Sequence, residues 1–354
     1  MLTTELIERI LTTIPNKTVG LLGDLFLDRY LDIDPARDEP SVETGLTAYQ
    51  VTGVRSYPGA LGTVLNNLAA LGVGRIEPIS AIGDDGEGYE LRQALAALPA
   101  VDAGGIFSAP GRRTPTYTKP MYGTRELNRL DIKNRTPTPA HIEDAVIGLL
   151  EAAWRRLDAL IVLDQVSEVD CGVVTKRVRE RLAELAAADP AKFVLADSRE
   201  QIGLFRNVCV KPNREEFKGM VAFPPVPRES DPHGALYHAA KVAACRRVGR
   251  HTFLTLGGEG ILLIDADGRD GTIVFADAVP DPIDICGAGD STSAGITAAM
   301  VSGATHEQAA AFGNLVASVT IQQIGVTGTA TPAQVRQRWH AAGAPALLRP
   351  PASL

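Results

Sequence analysis

The chain of 354 residues is 45% apolar and 22% charged, with a formal net charge of −7. This composition is too apolar for intrinsic disorder, and the acidic balance argues against a nucleic acid partner. The four cysteines, at positions 171, 209, 245 and 286, are too far apart for Cys-x-x-Cys pairs. They indicate reduced thiols in a cytoplasmic protein, so neither a disulfide framework nor a zinc site is expected.

The predicted elements alternate between short β-branched strands and helices rich in Ala and Leu. The chain opens with an amphipathic helix, not a signal peptide. Such alternation is typical of βαβ units around a mostly parallel sheet covered on both faces. Strands are expected over residues 17–22, 75–82, 160–163, 193–196, 208–210 and 252–256, and helices over 60–71, 88–98, 173–188, 235–248 and 290–324.

Two segments, 33–54 and 112–130, break the alternation because they are rich in Thr, Tyr, Pro and Arg and lack helical periodicity. They are expected to be extended strands outside the main sheet, forming either a lid over an active site or an edge hairpin. Residues 224–232 are expected to form a surface loop. Without repeats or a flexible linker, residues 1–354 are predicted to form one domain with a small β-lid.

Residues 308–335 carry no charged side chain, which raises the question of a membrane span. Asn, Gln, Gly and Thr residues interrupt this stretch, and such residues are unfavourable in the centre of a bilayer. A buried helix followed by a turn is therefore expected, with no membrane partner.

Several enzyme classes are excluded by missing motifs: the sequence lacks GxGxxG, GxxxxGK[ST], HExxH and GxSxG. What remains is residues 284–290, DICGAGD, running into a predicted helix. A glycine turn at a helix N-terminus presents backbone N–H groups to an anion such as a phosphate. Asp290 at its edge could accept a proton from an attacking hydroxyl, or it could simply cap the helix.

Other strand ends carry polar side chains that could complete a site. Asp24 and Asp28 follow the first strand and could accept hydrogen bonds from sugar hydroxyls, or could be solvated loop residues. Gly59 to Thr63 makes a second close turn. Asn213 and Glu216, three residues apart, suit a water-coordinated Mg²⁺ beside phosphates, although a capping box would explain the same spacing.

In this order, these motifs resemble the ribokinase-like carbohydrate kinases, also called the phosphofructokinase-B family. The resemblance runs from about residue 19 to 335 through GDLFLDRY, YPGALGTVLNNLAALG, KPNREEF, LTLGGEG and DICGAGDSTSAG. GDLFLDRY and RLD are most similar to the heptose-phosphate kinase branch. The resemblance implies a three-layer α/β/α fold with a mainly parallel sheet and a β-lid. It also implies a homodimer formed through the lid.

The resemblance further implies ATP-dependent phosphorylation of a sugar or sugar-phosphate hydroxyl, with Mg²⁺ and a K⁺-like ion as cofactors. Asp290 would be the catalytic base, and Gly287, Ala288 and Gly289 would form the anion hole. The acceptor would bind at Asp24, Asp28, Gly59, Thr63, Asn67 and Asp284. The nucleotide would bind at Asn213, Glu216, Thr255, Gly257, Gly260 and Asn314. Asn213 and Glu216 would organise Mg²⁺ through water, and Asp284, Cys286, Gly325 and Thr329 would lie beside the monovalent cation.

The chain departs from the family pattern in both signatures. Ala60 and Thr63 replace the usual second Gly and a later Asn, so the usual acceptor cannot be assumed. Ile285 and Cys286 replace two threonines before the glycine turn. Two alternatives follow: a nucleoside or other polyol kinase of the same fold, or a sugar- or nucleotide-binding regulator without turnover. The intact Asp290, Asn213 and Glu216 favour an active kinase.

Overall fold

The computed structural model describes residues 2–220, 248–268 and 271–342, which form two large β-sheets and one two-stranded sheet. In chain order the strands are β1 (Thr18–Gly23), β2 (Leu25–Ile33), β3 (Glu39–Pro40), β4 (Thr47–Ala48), β5 (Val51–Ala60), β6 (Arg75–Ile82), β7 (Ile106–Ser108), β8 (Thr116–Tyr122), β9 (Arg125–Glu126), β10 (Leu130–Ile132), β11 (Ala159–Asp164), β12 (Phe193–Ser198), β13 (Cys209–Val210), β14 (Thr252–Thr255), β15 (Ile261–Ile264) and β16 (Gly271–Val274). The helices are α1 (Thr4–Thr13), α2 (Leu61–Leu71), α3 (Gly86–Ala96), α4 (Ala140–Trp154), α5 (Lys176–Ala188), α6 (Arg214–Met220), α7 (Ala288–Val301), α8 (His306–Thr320) and α9 (Pro332–Ala341).

The main sheet has nine strands in the order β16-β15-β14-β13-β12-β11-β1-β6-β7. It is parallel from β7 to β14, and only β15 and β16 run antiparallel to their neighbours. Since parallel strands end at one edge, the segments after β1, β11, β12, β13 and β14 meet there. The prediction of a mainly parallel sheet is confirmed.

Helices cover both faces of this sheet because successive side chains of a strand point to opposite faces. In β1, Leu21 packs into the core beneath α1, α2, α7 and α8, whereas Leu22 packs beneath α4, α5 and α6. β11 is buried along its whole length, as expected for a central strand covered on both sides. The predicted three-layer α/β/α arrangement is therefore confirmed.

Helix boundaries follow local signals, and one expectation needs correction. Residues 290–324 were expected to be helical throughout, but α7 ends at Val301 and α8 starts at His306. Gly303 adopts a φ of 78°, and Thr305 caps α8 in a capping box with Gln308. These are stop and start signals within the stretch. α1 is amphipathic as expected, burying Leu6, Ile7, Ile10 and Leu11.

Two predicted segments cannot be compared with the structure, and the predicted absence of a membrane span can be compared only for the described residues. The surface loop expected over 224–232 lies outside them, as does the helix expected over 235–248 except for its last residue. Within the described ranges, no helix is both long and apolar enough to cross a bilayer.

The second sheet, which we call the lid, has the order β10-β8-β2-β5, with β9 paired to β8. Its boundaries differ from the expected 33–54 and 112–130. β2 starts at Leu25, and residues between β2 and β5 form a short 3₁₀ helix (Pro35–Arg37) and the two-residue strands β3 and β4. β2 was not predicted as a strand because it contains Asp28, Arg29 and Asp32, and charged residues at this density are typical of a loop.

The junction between β1 and β2 is a single residue, Asp24, with several buried hydrogen bonds. Its carboxylate accepts N–H bonds from Gln165, Val166 and Val173 at 2.7–3.2 Å. Its own N–H donates to Leu163, and its carbonyl accepts from Leu61. The lid is therefore joined firmly to the main sheet at this point.

Candidate active site

The turn before α7 presents an uncapped helix N-terminus to the cleft. Gly287 is the N-cap residue with a φ of 77°, and no side chain caps the helix. A Cβ on Gly287 would lie 2.6 Å from Thr327 Cγ2, so a larger residue does not fit. No side chain caps the first N–H groups of α7. The Ala288 N–H donates to the Ile285 carbonyl at 3.1 Å, which leaves Gly287 and Gly289 to present N–H groups to the cleft. Such a terminus can bind an anion.

Asp290 is the third residue of α7 and lies half-buried at this turn. Burial raises the pKa of Asp290 to about 7, and the negative charges of Asp197 and Asp28 add to this effect. The positive charges of Lys211 and Arg199 act in the opposite direction. A carboxyl group that titrates near neutral pH can exchange a proton with a substrate hydroxyl.

Lys211 is a site residue that the sequence analysis missed. It follows β13, is 3% exposed, and its Nζ lies 2.7 Å from Asp197 Oδ2. A Cβ on Gly289 would lie 3.5 Å from the same Nζ, so the ammonium group adjoins the anion-binding turn. Burial opposes its charge, but Asp197, Glu216 and Asp290 together raise the pKa of Lys211. Its position directly after a buried strand, two residues before Asn213, was the available signal.

Asp28 lies on β2 with one carboxylate oxygen, Oδ1, buried and without a hydrogen-bond partner. A Cβ on Gly59, in the adjacent β5, would lie 2.7 Å from the Asp28 carboxyl carbon, so glycine is needed for this close approach. Burial raises the pKa of Asp28, while Lys119 and Arg129 act against it. The unpartnered oxygen is suited to accept a hydrogen bond from a ligand hydroxyl.

The lid surrounds Asp28 with cations and tyrosines. Lys119 Nζ donates to the Tyr30 hydroxyl at 3.1 Å and lies 4.8 Å from the centre of that ring. The Arg129 guanidinium lies 4.2 Å from the Tyr117 ring centre. Asp28 pairs in register with Tyr117 of β8, which brings these groups to one part of the lid.

The other residues expected at the acceptor differ in placement. Thr63, in the first turn of α2, points its methyl group at Gly287, 3.3 Å from a Cβ built there. Asn67 is fully buried, and its Nδ2 donates to the Thr63 carbonyl at 3.0 Å, one turn earlier in α2. Asp24 is 2% exposed, and both its oxygens are used by the junction described above. The structure thus places Gly59 against Asp28 and Thr63 against Gly287, while Asn67 Oδ1 is buried without a partner and the Asp24 carboxylate is used at the junction.

Asn213 and Glu216 form a capping box at the start of α6. Asn213 Oδ1 accepts from the backbone of Glu216 at 2.9 Å, and Glu216 Oε2 accepts from the Asn213 N–H at 2.8 Å. Both line a cavity of about 230 Å³. Burial raises the pKa of Glu216, and the nearby charge of Asp197 raises it further. The Lys211 ammonium, 2.7 Å from Asp197 Oδ2, offsets part of this repulsion. The oxygen atoms of these side chains are of the kind that bind a hard divalent cation such as Mg²⁺.

The predicted nucleotide residues lie around the end of β14. Thr255 pairs with Asn213 in an isolated bridge, so this turn adjoins the capping box. Gly257 and Gly260 have φ values of 66° and 109°. A Cβ on Gly260 would lie 2.1 Å from the Val274 carbonyl oxygen. Asn314, buried on α8, donates from Nδ2 to this same carbonyl at 2.9 Å, so the predicted residues form one continuous region.

The loop that was expected beside a monovalent cation is held by Asp284. Its carboxylate accepts N–H bonds from Cys286 and Gly325, both at 3.0 Å. Thr329 is not part of this contact, because its carbonyl accepts from Gln323 Nε2 at 2.6 Å. Three of the four residues are therefore brought together by the Asp284 carboxylate.

Comparison with known proteins places these features in a family. The model of the pfkB family carbohydrate kinases matches residues 26–334. The chain is 28% identical over 317 residues to the bifunctional protein HldE of Trichlorobacter lovleyi, covering 89% of this chain and 61% of that protein. It is likewise 28% identical to HldE of Geobacter metallireducens, again covering 61% of the relative. The chain thus spans about three fifths of these curated relatives.

Solved structures show the same fold at lower identity. The ribokinase of Arabidopsis thaliana, complexed with ribose and ATP, matches with a TM-score of 0.63 at 15% identity, covering 91% of this chain and 98% of that one. The ribokinase of Thermotoga maritima matches with a TM-score of 0.62 at 17% identity, covering 92% and 99%. The fold is therefore ribokinase-like.

Proposed function

Since the chain belongs to the pfkB family of carbohydrate kinases, we propose that it transfers the γ-phosphoryl group of ATP to a hydroxyl of a sugar phosphate. The observation that carries this proposal is the pairing of two carboxyl groups at one anion-binding turn. Asp28 offers an unpartnered buried oxygen, and Asp290 lies close enough for Asp28 to raise its pKa.

The mechanism follows from these positions. Asp28 accepts a hydrogen bond from the acceptor hydroxyl, and Asp290 removes its proton as the oxygen attacks the γ-phosphorus in line. The bond from phosphorus to the bridging oxygen breaks, and ADP leaves with that electron pair. The N–H groups of Gly287 and Gly289 and the Lys211 ammonium stabilise the charge on the transferred group. Asp197, Asn213 and Glu216 would hold Mg²⁺, which neutralises triphosphate charge when bound.

The cations of the lid support a phosphorylated acceptor. Lys119 is half-buried and, among the described residues, forms no ion pair, although it is near Asp28. Arg129 lies over Tyr117, and its guanidinium also pairs with Asp131 at 2.7 and 3.0 Å. Placing positive groups around a hydroxyl-binding carboxylate suits an acceptor that carries its own phosphate, as the resemblance to the heptose-phosphate kinase branch also implies.

The decisive experiment measures ADP release with a panel of sugars, sugar phosphates and nucleosides. The wild type should turn over with a sugar phosphate, and Asp290→Asn should lose about two to four orders of magnitude in kcat, because an amide accepts no proton. ATP affinity, measured by calorimetry, should change little. Glu307→Gln, an exposed acid in the first turn of α8, is the matched control. Turnover of Asp290→Asn within tenfold of wild type would exclude the base assignment.

A second variant tests the acceptor class. Lys119→Met keeps the aliphatic stem but removes the charge, so KM for a sugar phosphate should rise about tenfold to a hundredfold. KM for ATP should stay unchanged. Lys176→Met, an exposed lysine of α5 that pairs with Glu180, is the control. If a nucleoside or an unphosphorylated sugar proves the better acceptor and Lys119→Met has no effect, the sugar-phosphate proposal fails.

The proposal also includes a homodimer formed through the lid. Large apolar side chains are exposed on and beside β5 and β10, which are the edge strands of this sheet. Exposed apolar residues at sheet edges favour association with another chain. These residues are Val42, Leu46, Tyr49, Val51, Val54, Tyr57 and Leu130.

A further inference from the structure

Three potential metal ligands that are distant in sequence meet at the amino ends of β13 and β14. Cys209 begins β13, His251 immediately precedes β14, and His306 is the first residue of α8. One ligand atom from each of these residues lies within 4.8 Å of the others. Cys209 is buried and both histidines are half-buried, so the cluster is close to solvent but not fully exposed.

The two imidazole rings are stacked, with centres 3.6 Å apart and planes at 12°. Neither ring forms a hydrogen bond with any residue in the described ranges. Burial lowers the pKa of His251, and burial, His251 and Arg250 together lower the pKa of His306 to about 4. A ring nitrogen that has no hydrogen-bond partner in the described ranges is available to a metal ion.

We propose that Cys209, His251 and His306 bind one Zn²⁺-like transition-metal ion, with water in the fourth position. A tetrahedral ion with bonds of about 2.0–2.3 Å needs ligand atoms roughly 3.3–3.6 Å apart. The three ligand atoms lie within 4.8 Å of one another, and the stacked histidine rings would have to rotate about their side-chain bonds for both nitrogens to face one ion. Thiolate and imidazole ligands select such ions over Mg²⁺.

Binding at Cys209 involves the loss of a proton. Burial raises the pKa of the Cys209 thiol to about 12, so the thiol is protonated in the free protein. As the sulfur–metal bond forms, the S–H bond breaks and the proton passes to solvent. The ion's charge offsets the thiolate, and no oxidation or reduction takes place.

This site is separate from the phosphoryl-transfer site. The separation is set by β14, because His251 immediately precedes this strand and Thr255 ends it. β13 has only two residues, so Cys209 is the ligand nearest in sequence to Lys211. The sequence spacing gave no sign of a metal site because its ligands come from three different elements. The inference does not depend on the proposed kinase reaction.

The test is a titration of the full chain with Co²⁺, followed by absorption spectroscopy. Wild type should bind one Co²⁺ with a thiolate-to-metal charge-transfer band, and Zn²⁺ should displace it and raise Tm. Cys209→Ser should abolish the band, and His251→Gln and His306→Gln should each weaken Co²⁺ binding by about a hundredfold or more.

Two matched controls separate this cluster from other thiols. Cys171→Ser and Cys286→Ser, a buried and an exposed cysteine outside the cluster, should keep the band. Circular dichroism verifies that each variant is folded, and the half-buried His306→Gln gives an independent answer if Cys209→Ser is unstable. Absence of the band in wild type, its persistence in Cys209→Ser, or unchanged Co²⁺ affinity in His306→Gln would overturn the proposal.

Discussion

Asp290 experiences opposing charges, and their balance sets its ionisation. The negative groups facing it are Asp197 and Asp28, and the positive groups are Lys211 and Arg199. Burial dominates and raises its pKa to about 7. A base with this pKa is half ionised at neutral pH, so its ionisation should be visible in the kinetics.

The pH dependence of kcat/KM should therefore show an acidic limb at about pH 7. Only the ionised carboxylate accepts the proton, so kcat/KM should fall about tenfold for each pH unit below this value. Steady-state kinetics at saturating ATP, with the acceptor below its KM, would measure the limb.

A variant provides the control. Asp28→Asn removes a negative charge that raises the pKa of Asp290, so the limb should move to lower pH whatever the loss in rate. A wild-type limb near the ordinary Asp pKa of about 4, or a limb that Asp28→Asn leaves in place, would contradict the assignment.

Single residues differed in how well the sequence predicted them. Local patterns indicated the turn at Gly287 and the spacing of Asn213 and Glu216, because each depends on residues close in the chain. The Lys211–Asp197 ion pair joins β12 to the residue after β13, the next strand along the chain. It depends on the pairing and register of these two strands, which no local pattern specifies. The hydrogen bonds of the Asp24 carboxylate were not predicted either, because their donors, Gln165, Val166 and Val173, follow β11.

The junction between β5 and α2 contains a strained backbone. Ala60 has φ 51° and ψ −114°, a conformation that glycine adopts easily but that is unfavourable for alanine. This is the position where the family pattern has its second glycine. The strain lies directly between Gly59, which contacts Asp28, and the start of the helix that carries Thr63.

Ala60→Gly should stabilise the chain by about 1 kcal/mol, because relief of strain exceeds the added freedom of the unfolded state. Denaturant unfolding would measure the free energy of unfolding. Ala69→Gly, within the right-handed part of α2, is the matched control and should cost about 1 kcal/mol. Destabilisation by Ala60→Gly would show that the alanine is not strained.

Among the elements, those with a strong hydrophobic pattern were predicted well. β6 has the predicted bounds, and α2 differs by one residue, because both have buried faces that the sequence displays. β15 and β16 were missed. They pair as a short antiparallel hairpin and not as a βαβ unit, so the alternation of strands and helices gives no signal for them. The break between α7 and α8 was missed because buried Ala-rich helices on both sides conceal the turn at Gly303.

At the scale of the whole molecule, the proposed dimer is tested by sedimentation. Val54→Glu places a charge among the exposed apolar side chains of β5 and should shift the chain toward monomer at micromolar concentration. Val169→Glu changes an exposed valine outside the lid and serves as the control. Wild type that sediments as a monomer throughout this range would contradict the dimer.

The single-residue junction at Asp24 also limits how the lid can move to admit a sugar. Rotation of the whole lid about Asp24 would have to break the three N–H bonds to its buried carboxylate. The irregularity in the β2–β5 register lies further out, between Asp32 and Ile33. We therefore expect the outer ends of β2 and β5 to bend while the residues around Asp28 keep their positions. This part of the cleft would then select a sugar by its shape, without adjusting to it.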